Sequence, residues 1–285
     1  SGEHEATLAA VESVMEAVGA DSITHDNQVS KVSVVGSNMA TQTSVASRMF
    51  RALANAGVNI HMITTSEIKI STLVPKSQAA VALRAVHDAF DLHKRPQDAQ
   101  SWSEIKKDRD KADVDTLVSR LRDDALEALT LTGISITEKQ ARVTLHGVPD
   151  EPGIAADMFE TIGAAGIFID MIVQGYDGDG GSTSVSFTVD DTALQASLEV
   201  AKNILEKHGM RDVQGGKEIA KVTVSGIGLR SHTHVATMLF QQLAEDAINV
   251  EMINTSELQV NAVIDAKRRV DAAEDLKRAF ADSLL

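Results

Sequence analysis

The chain repeats itself, and this constrains its fold more than any other feature. An offset of 190 residues sets Lys31-Val32-Ser33-Val34-Val35-Gly36 on Lys221-Val222-Thr223-Val224-Ser225-Gly226. The register then continues without a gap for about 60 residues, which marks a duplicated structural unit. Val45, Met49, Phe50 and Leu53 fall on Val235, Leu239, Phe240 and Leu243, and Asn59 to Glu67 fall on Asn249 to Glu257. A third, more divergent copy starts at Arg142: Val143-Thr144-Leu145-His146-Gly147 matches Val222 to Gly226, and Ile154, Met158, Phe159 and Ile162 take the helical positions. The tail of that copy, Asp191 to Gly209, is matched by Glu3 to Gly19, with Leu8, Val11 and Met15 on Leu198, Ala201 and Leu205. The chain is therefore expected to open inside a fourth unit whose first half is absent.

Each full unit reads as strand, helix, strand, strand, helix, strand. Ile154, Met158, Phe159 and Ile162 recur at helical spacing. Ile167 to Val173 forms a nearly continuous apolar run, the pattern of a strand covered on both faces. Val185, Phe187 and Val189 alternate with polar residues, as a half-buried strand does. Leu194, Leu198, Ala201 and Leu205 make a second helical stripe, ending at Gly209 as a C-cap. The predicted class is α/β (α+β), a small sandwich with both helices on one sheet face. The divisions read as 1–30, 31–92, a charged linker over 93–130, 131–217 and 218–285. A Ser101-x-x-Glu104 capping box makes part of the linker helical, and Leu131 to Ile136 is a candidate strand completing the second or fourth unit's sheet. Met62, Met171 and Met252 share one strand position and read as core.

Composition narrows function by exclusion. With 27 Lys plus Arg against 41 Asp plus Glu, the net charge is −14, which disfavours nucleic acid and anionic membranes as partners. The chain has no cysteine, so disulfides, thiolate nucleophiles and Cys-ligated zinc are excluded. No apolar run approaches the roughly 20 residues of a membrane-spanning helix, and the acidic start does not read as a signal peptide. A cytoplasmic location is expected. His232 and His234 lack a third ligand, and Asp177-Gly178-Asp179-Gly180-Gly181 lacks the later acids of a calcium loop. No metal site is predicted.

Val148-Pro149-Asp150-Glu151-Pro152-Gly153-Ile154-Ala155-Ala156, Ile169-Asp170-Met171-Ile172-Val173-Gln174, Val185-Ser186-Phe187-Thr188-Val189 and the Thr-Ser-Glu copies at 65–67 and 255–257 together resemble ACT domains, specifically the tandem ACT regulatory region of aspartate kinases. The resemblance implies ferredoxin-like βαββαβ units paired side by side. It also implies feedback inhibition of L-aspartate phosphorylation by ATP, with lysine, threonine or both as effectors bound between paired units, and a homodimer formed through ACT units. No Lys-Phe-Gly-Gly opening, Walker loop or Gly-x-Ser-x-Gly elbow is found. Catalysis, ATP and magnesium are thus expected in a kinase domain outside this chain, with no cofactor in this region. A stand-alone ACT-repeat regulator and a dimerisation scaffold are the alternatives.

A free amino acid needs donors for its carboxylate and acceptors for its ammonium. The first-turn N–H groups of the helix opening at Gly153, Ile154 and Ala155 supply donors. Acceptors are at hand in Asp150, Asp170 and Gln174, although Asp150 reads equally as the helix cap. By resemblance, Asn249, Val250, Ser256 and Glu257 form the opposite wall, with Asn59, Ile60, Ser66 and Glu67 playing that part in the incomplete first pair. Thr43-Ser44 and Thr233-His234 replace the loop glycine, so no effector carboxylate is placed at those helix starts.

Overall fold

The computed structural model describes residues 2–36, 43–66, 68–94, 129–176, 182–229, 231–256 and 258–281. The expected linker helix, Asp177 to Gly181, Glu67 and Glu257 lie outside them. None of the described helices is long and apolar enough to cross a membrane.

The helices are α1 (Gly2–Val18), α2 (Thr43–Asn55), α3 (Ala79–Ala89), α4 (Ile154–Ala164), α5 (Leu194–His208), α6 (His234–Glu245) and α7 (Arg269–Ala279). The strands are β1 (Val29–Val35), β2 (Met62–Thr65), β3 (Lys69–Pro75), β4 (Thr130–Pro149), β5 (Ile172–Tyr176), β6 (Ser182–Asp190), β7 (Asp212–Ile227), β8 (Val250–Thr255) and β9 (Gln259–Asp265). They form one antiparallel sheet in the order β1-β3-β2-β5-β6-β4-β7-β9-β8. The apolar stripes bury as their spacing predicts: Met49, Phe50 and Leu53 of α2, Met158 and Ile162 of α4, and Leu239 and Leu243 of α6 are fully or almost fully covered. Gly209 closes α5 in the left-handed conformation at φ 64°, which glycine adopts without strain.

Two long strands tie the middle and last units together. The first half of β4, Thr130 to Thr137, pairs with Lys221 to Ile227 of β7, while Arg142 to His146 pair with Asp212 to Gly216. Leu131 to Ile136 thus completes the sheet of the last unit, lying beside its first strand, and β7 serves both units. Among the described residues the first unit has three strands, and β1 forms an edge of the sheet.

The strand after α4 starts at Ile172, later than the apolar run suggests, and Phe168 is 42% exposed. The preceding segment still bonds β6, with the Asp170 N–H donating to Thr188 O and the Thr188 N–H to Met171 O. The helix-covered side holds two cores. One is shared by the first and middle units, where the Phe50 and Phe159 rings lie 5.3 Å apart; the other belongs to the last unit. The sheet curls so that its open faces meet through Met171, Ile219, Met252 and Val263. Met62, placed with the core by its repeat position, is instead 38% exposed.

Candidate functional site

The first and middle units pack side by side, α2 on α4 and β2 beside β5 at Thr64 and Val173. Arg51 of α2 fixes the helices. Its Nη2 donates to Asp157 Oδ1 at 2.6 Å, its Nε donates to Glu160 Oε1 at 2.7 Å, and a further bond reaches Glu160 Oε2. Lys207 adds a 2.7 Å bond to Asp157 Oδ2. Lys207 and then Arg51 hold the Asp157 carboxyl below the usual carboxylate range, and Arg51 does the same to Glu160. Both carboxylates in turn push the Arg51 guanidinium further up.

A cleft opens at the end of this interface where β4 turns into α4. Gly153 is the N-cap residue, at φ 101° and with no side-chain cap bond. Asp150 therefore does not cap the helix; its carboxylate turns across the interface. Asn59 Nδ2 donates to Asp150 Oδ1 at 3.0 Å and lies 3.4 Å from Asp150 O, and His61 Nδ1 stands 4.0 Å from Asp150 Oδ2. Asn59 and Ile60 form one wall, Asp150 to Ala155 the other, and Ile63, Met158 and Val185 the apolar floor. Gln174 enters from β5; its amide donates to Thr183 Oγ1 at 3.4 Å, while its Oε1 is buried without a partner. The charged residues lining the cleft are acidic, Asp150 and Glu151. The enclosed volume is about 20 Å³, room for a single water, so a larger ligand must part Asn59 from Asp150.

Asp150, Gly153, Ile154, Ala155, Gln174, Asn59 and Ile60 thus come together. The wall expected from Asn249 and Val250 does not: Val250 starts β8, at the far end of the sheet, and Asn249 directly precedes it. Asp170 also departs from its expected place. It faces the last unit, paired with Lys221, beside Thr65 and Asn254. There Asn254 Nδ2 donates to Thr65 O at 2.7 Å, and Thr65 Oγ1 accepts from the Ile172 N–H at 3.1 Å. Ser66 lies beside this pair and also lines, with Ser256, a larger cavity between the first and last units. Sequence reasoning missed Arg51 and Asn254. Arg51 carries a visible signal, since the equivalent repeat residue is Gln241; only the middle unit's acids explain an arginine there.

Of groups able to hold a metal, His87, Asp88 and His93 bring ligand atoms within 4.8 Å of one another at the half-exposed to exposed end of α3. His232 Nδ1 lies 2.9 Å from Gly228 O, and its ring lies 5.6 Å from that of His234.

The model of the ACT domain matches residues 32–90, 143–205 and 222–280. The chain belongs to the ACT-domain family. Its three ACT units are of the type found in aspartate kinases. An aspartate kinase of Pseudomonas fluorescens is 38% identical over 165 residues, 58% of this chain and 40% of that protein. A Helicobacter pylori aspartokinase is 39% identical over 142 residues, 50% of this chain and 34% of the relative. Among solved structures, the aspartate kinase of Synechocystis superposes on 96% of this chain and 44% of its own, with a TM-score of 0.78 and 27% identity. The regulatory subunit of the Thermus flavus enzyme is 36% identical, covering 53% of this chain and 99% of that subunit at a TM-score of 0.50. The ACT chain thus spans at most about 40% of the length of these curated relatives.

Proposed function

We propose that the cleft between the first two ACT units binds a free amino acid and that its occupancy feedback-regulates an aspartate kinase, the ATP-dependent phosphorylation of L-aspartate. The observation that carries this reading is the composition of the cleft. The first turn of α4 offers N–H groups that have no carbonyl partner within the helix, which suits an α-carboxylate. Asp150 stands opposite, and the buried Gln174 Oε1 is free to accept from an ammonium group. With Asp150 and Glu151 as the charged lining, lysine is the favoured effector. Threonine, which needs only hydroxyl partners, ranks second.

Regulation follows from linkage. An effector that favours the opened cleft shifts the units toward that arrangement by no more than its differential affinity, about 1 to 3 kcal/mol in comparable systems. A homodimer formed through ACT units, a kinase domain on the same polypeptide and a cytoplasmic setting belong to the same proposal. Calorimetric titration of the folded chain with lysine and threonine tests it: lysine binds, and Asp150→Asn weakens that binding about tenfold or more, as loss of a charged hydrogen-bond partner does. Silence toward both amino acids overturns the reading.

A further inference from the structure

A second and much larger cavity, about 430 Å³, opens between the first and last units, away from the amino-acid cleft, with Leu229, Thr233 and Ala236 at the start of α6 among its lining. Lys31, Ser66, Lys69 and Ser71 of the first unit line one side, and Thr255 and Ser256 of the last unit the other. No Asp or Glu is among the described residues lining it.

The repeat itself shows what this cavity lacks. Lys31 and Lys221 hold the same position in their units, on the open face of the first strand. Lys221 meets the Asp170 carboxylate of the neighbouring unit, and both side chains are largely covered, at 14% and 23% exposure. Lys31 meets the cavity instead and has no ion-pair partner among the described residues. The serine one repeat apart behaves the same way. Ser256 Oγ accepts from the Leu258 and Gln259 N–H groups of its turn, whereas Ser66 Oγ is buried without a hydrogen-bond partner. An ammonium group and a hydroxyl that are satisfied in one copy thus converge unsatisfied on the cavity in the other. Lys31 is exposed at the rim and keeps its hydration, whereas the buried Ser66 hydroxyl left unpaired is costly, and the volume suits a small molecule.

We propose that this cavity binds a small anion through a carboxylate or phosphate group, which supplies to Lys31 the negative charge that Asp170 supplies to Lys221. Ser66 donates its hydroxyl to the same group, and Lys69 adds a second positive charge at the wall. The site is chemically opposite to the acidic amino-acid cleft and does not depend on what that cleft binds.

Inorganic phosphate and succinate, titrated separately into the full chain by calorimetry, test the proposal. At least one binds in the millimolar range or tighter, and the stronger of the two identifies the preferred group. Lys31→Gln and Ser66→Ala each weaken that binding, Lys31→Gln by about tenfold, while Lys31→Arg retains it. Lys76→Gln, an exposed lysine outside the cavity, and Asp150→Asn leave it unchanged. The proposal is overturned if the folded wild type binds neither anion, or if Lys76→Gln costs as much affinity as Lys31→Gln.

Discussion

At the scale of single residues, two glycines separate conformational strain from steric conflict. Gly153 opens α4 at φ 101°, and a Cβ there would find its nearest neighbour, the Ala54 Cβ, at 3.8 Å. Gly153→Ala therefore costs only the left-handed backbone term, about 1 to 2 kcal/mol. Gly147, at φ 70°, sits in the β4 irregularity between Leu145 and Val148, where a Cβ would come within 2.8 Å of the Arg211 Cβ and 2.9 Å of its backbone nitrogen. Gly147→Ala adds displacement of Arg211, just ahead of β7, to the same backbone cost and should destabilise more. Urea midpoints of the two variants measure the difference, and equal midpoints would remove the steric part of the account. The loop glycine was legible as a special backbone position ahead of the helix. That it, and not Asp150, occupies the cap position was not, because an Asx cap and an outward-turned Asp have the same local sequence.

Among the elements, the α2 and α4 pair carries the interface that forms the cleft. Asp157 and Glu160 have carboxyl groups held below their ordinary values by Arg51 and Lys207. A depressed folded-state pKa stabilises above the unfolded value, about 4 for these side chains, and that contribution is lost as pH falls through the folded value. Stability should therefore decline below about pH 4, and Arg51→Met should flatten the decline. Comparing urea midpoints of wild type and variant at about pH 5 and pH 3 checks the sign. An unchanged acid limb would show that the Arg51 pairs contribute nothing, as many exposed ion pairs do. The amphipathic faces of these helices were readable from spacing alone. Their partners were not, since one apolar stripe fits any apolar surface of similar width.

For the molecule as a whole, the cores predict how destabilisation spreads. Phe50 and Phe159 meet at a tilted ring contact across the boundary between the first and middle units and are buried within one core. Phe50→Ala should therefore cost about 3 to 5 kcal/mol and loosen amides of both units together in native-state hydrogen exchange. Leu239, buried in the separate core of the last unit, should cost about 2 to 5 kcal/mol on change to Ala and act first on α6, α7, β8 and β9. Unaltered protection of α4 in Phe50→Ala would contradict a shared core. Asn254→Ala leaves the Thr65 carbonyl without its donor, a loss of about 1 to 3 kcal/mol. Faster exchange of β8 would register the loosened contact between sheet faces.

By itself the sequence determined the repeat, the order of strands and helices within a unit, the apolar faces and the Asp150 to Ala155 loop. Each of these rests on short-range periodicity or on a motif within one segment. Only the tertiary structure decided that the loop faces Asn59 and Ile60 and not Asn249 and Val250, that Asp170 belongs to Lys221, and that β4 and β7 each serve two units of one sheet. The duplicated segments carry nearly the same motif, so local sequence offers the loop two equivalent partners. The choice between them lies in a few long-range pairings, such as Arg51 with Asp157 and Glu160, and in the curl that brings the open sheet faces together.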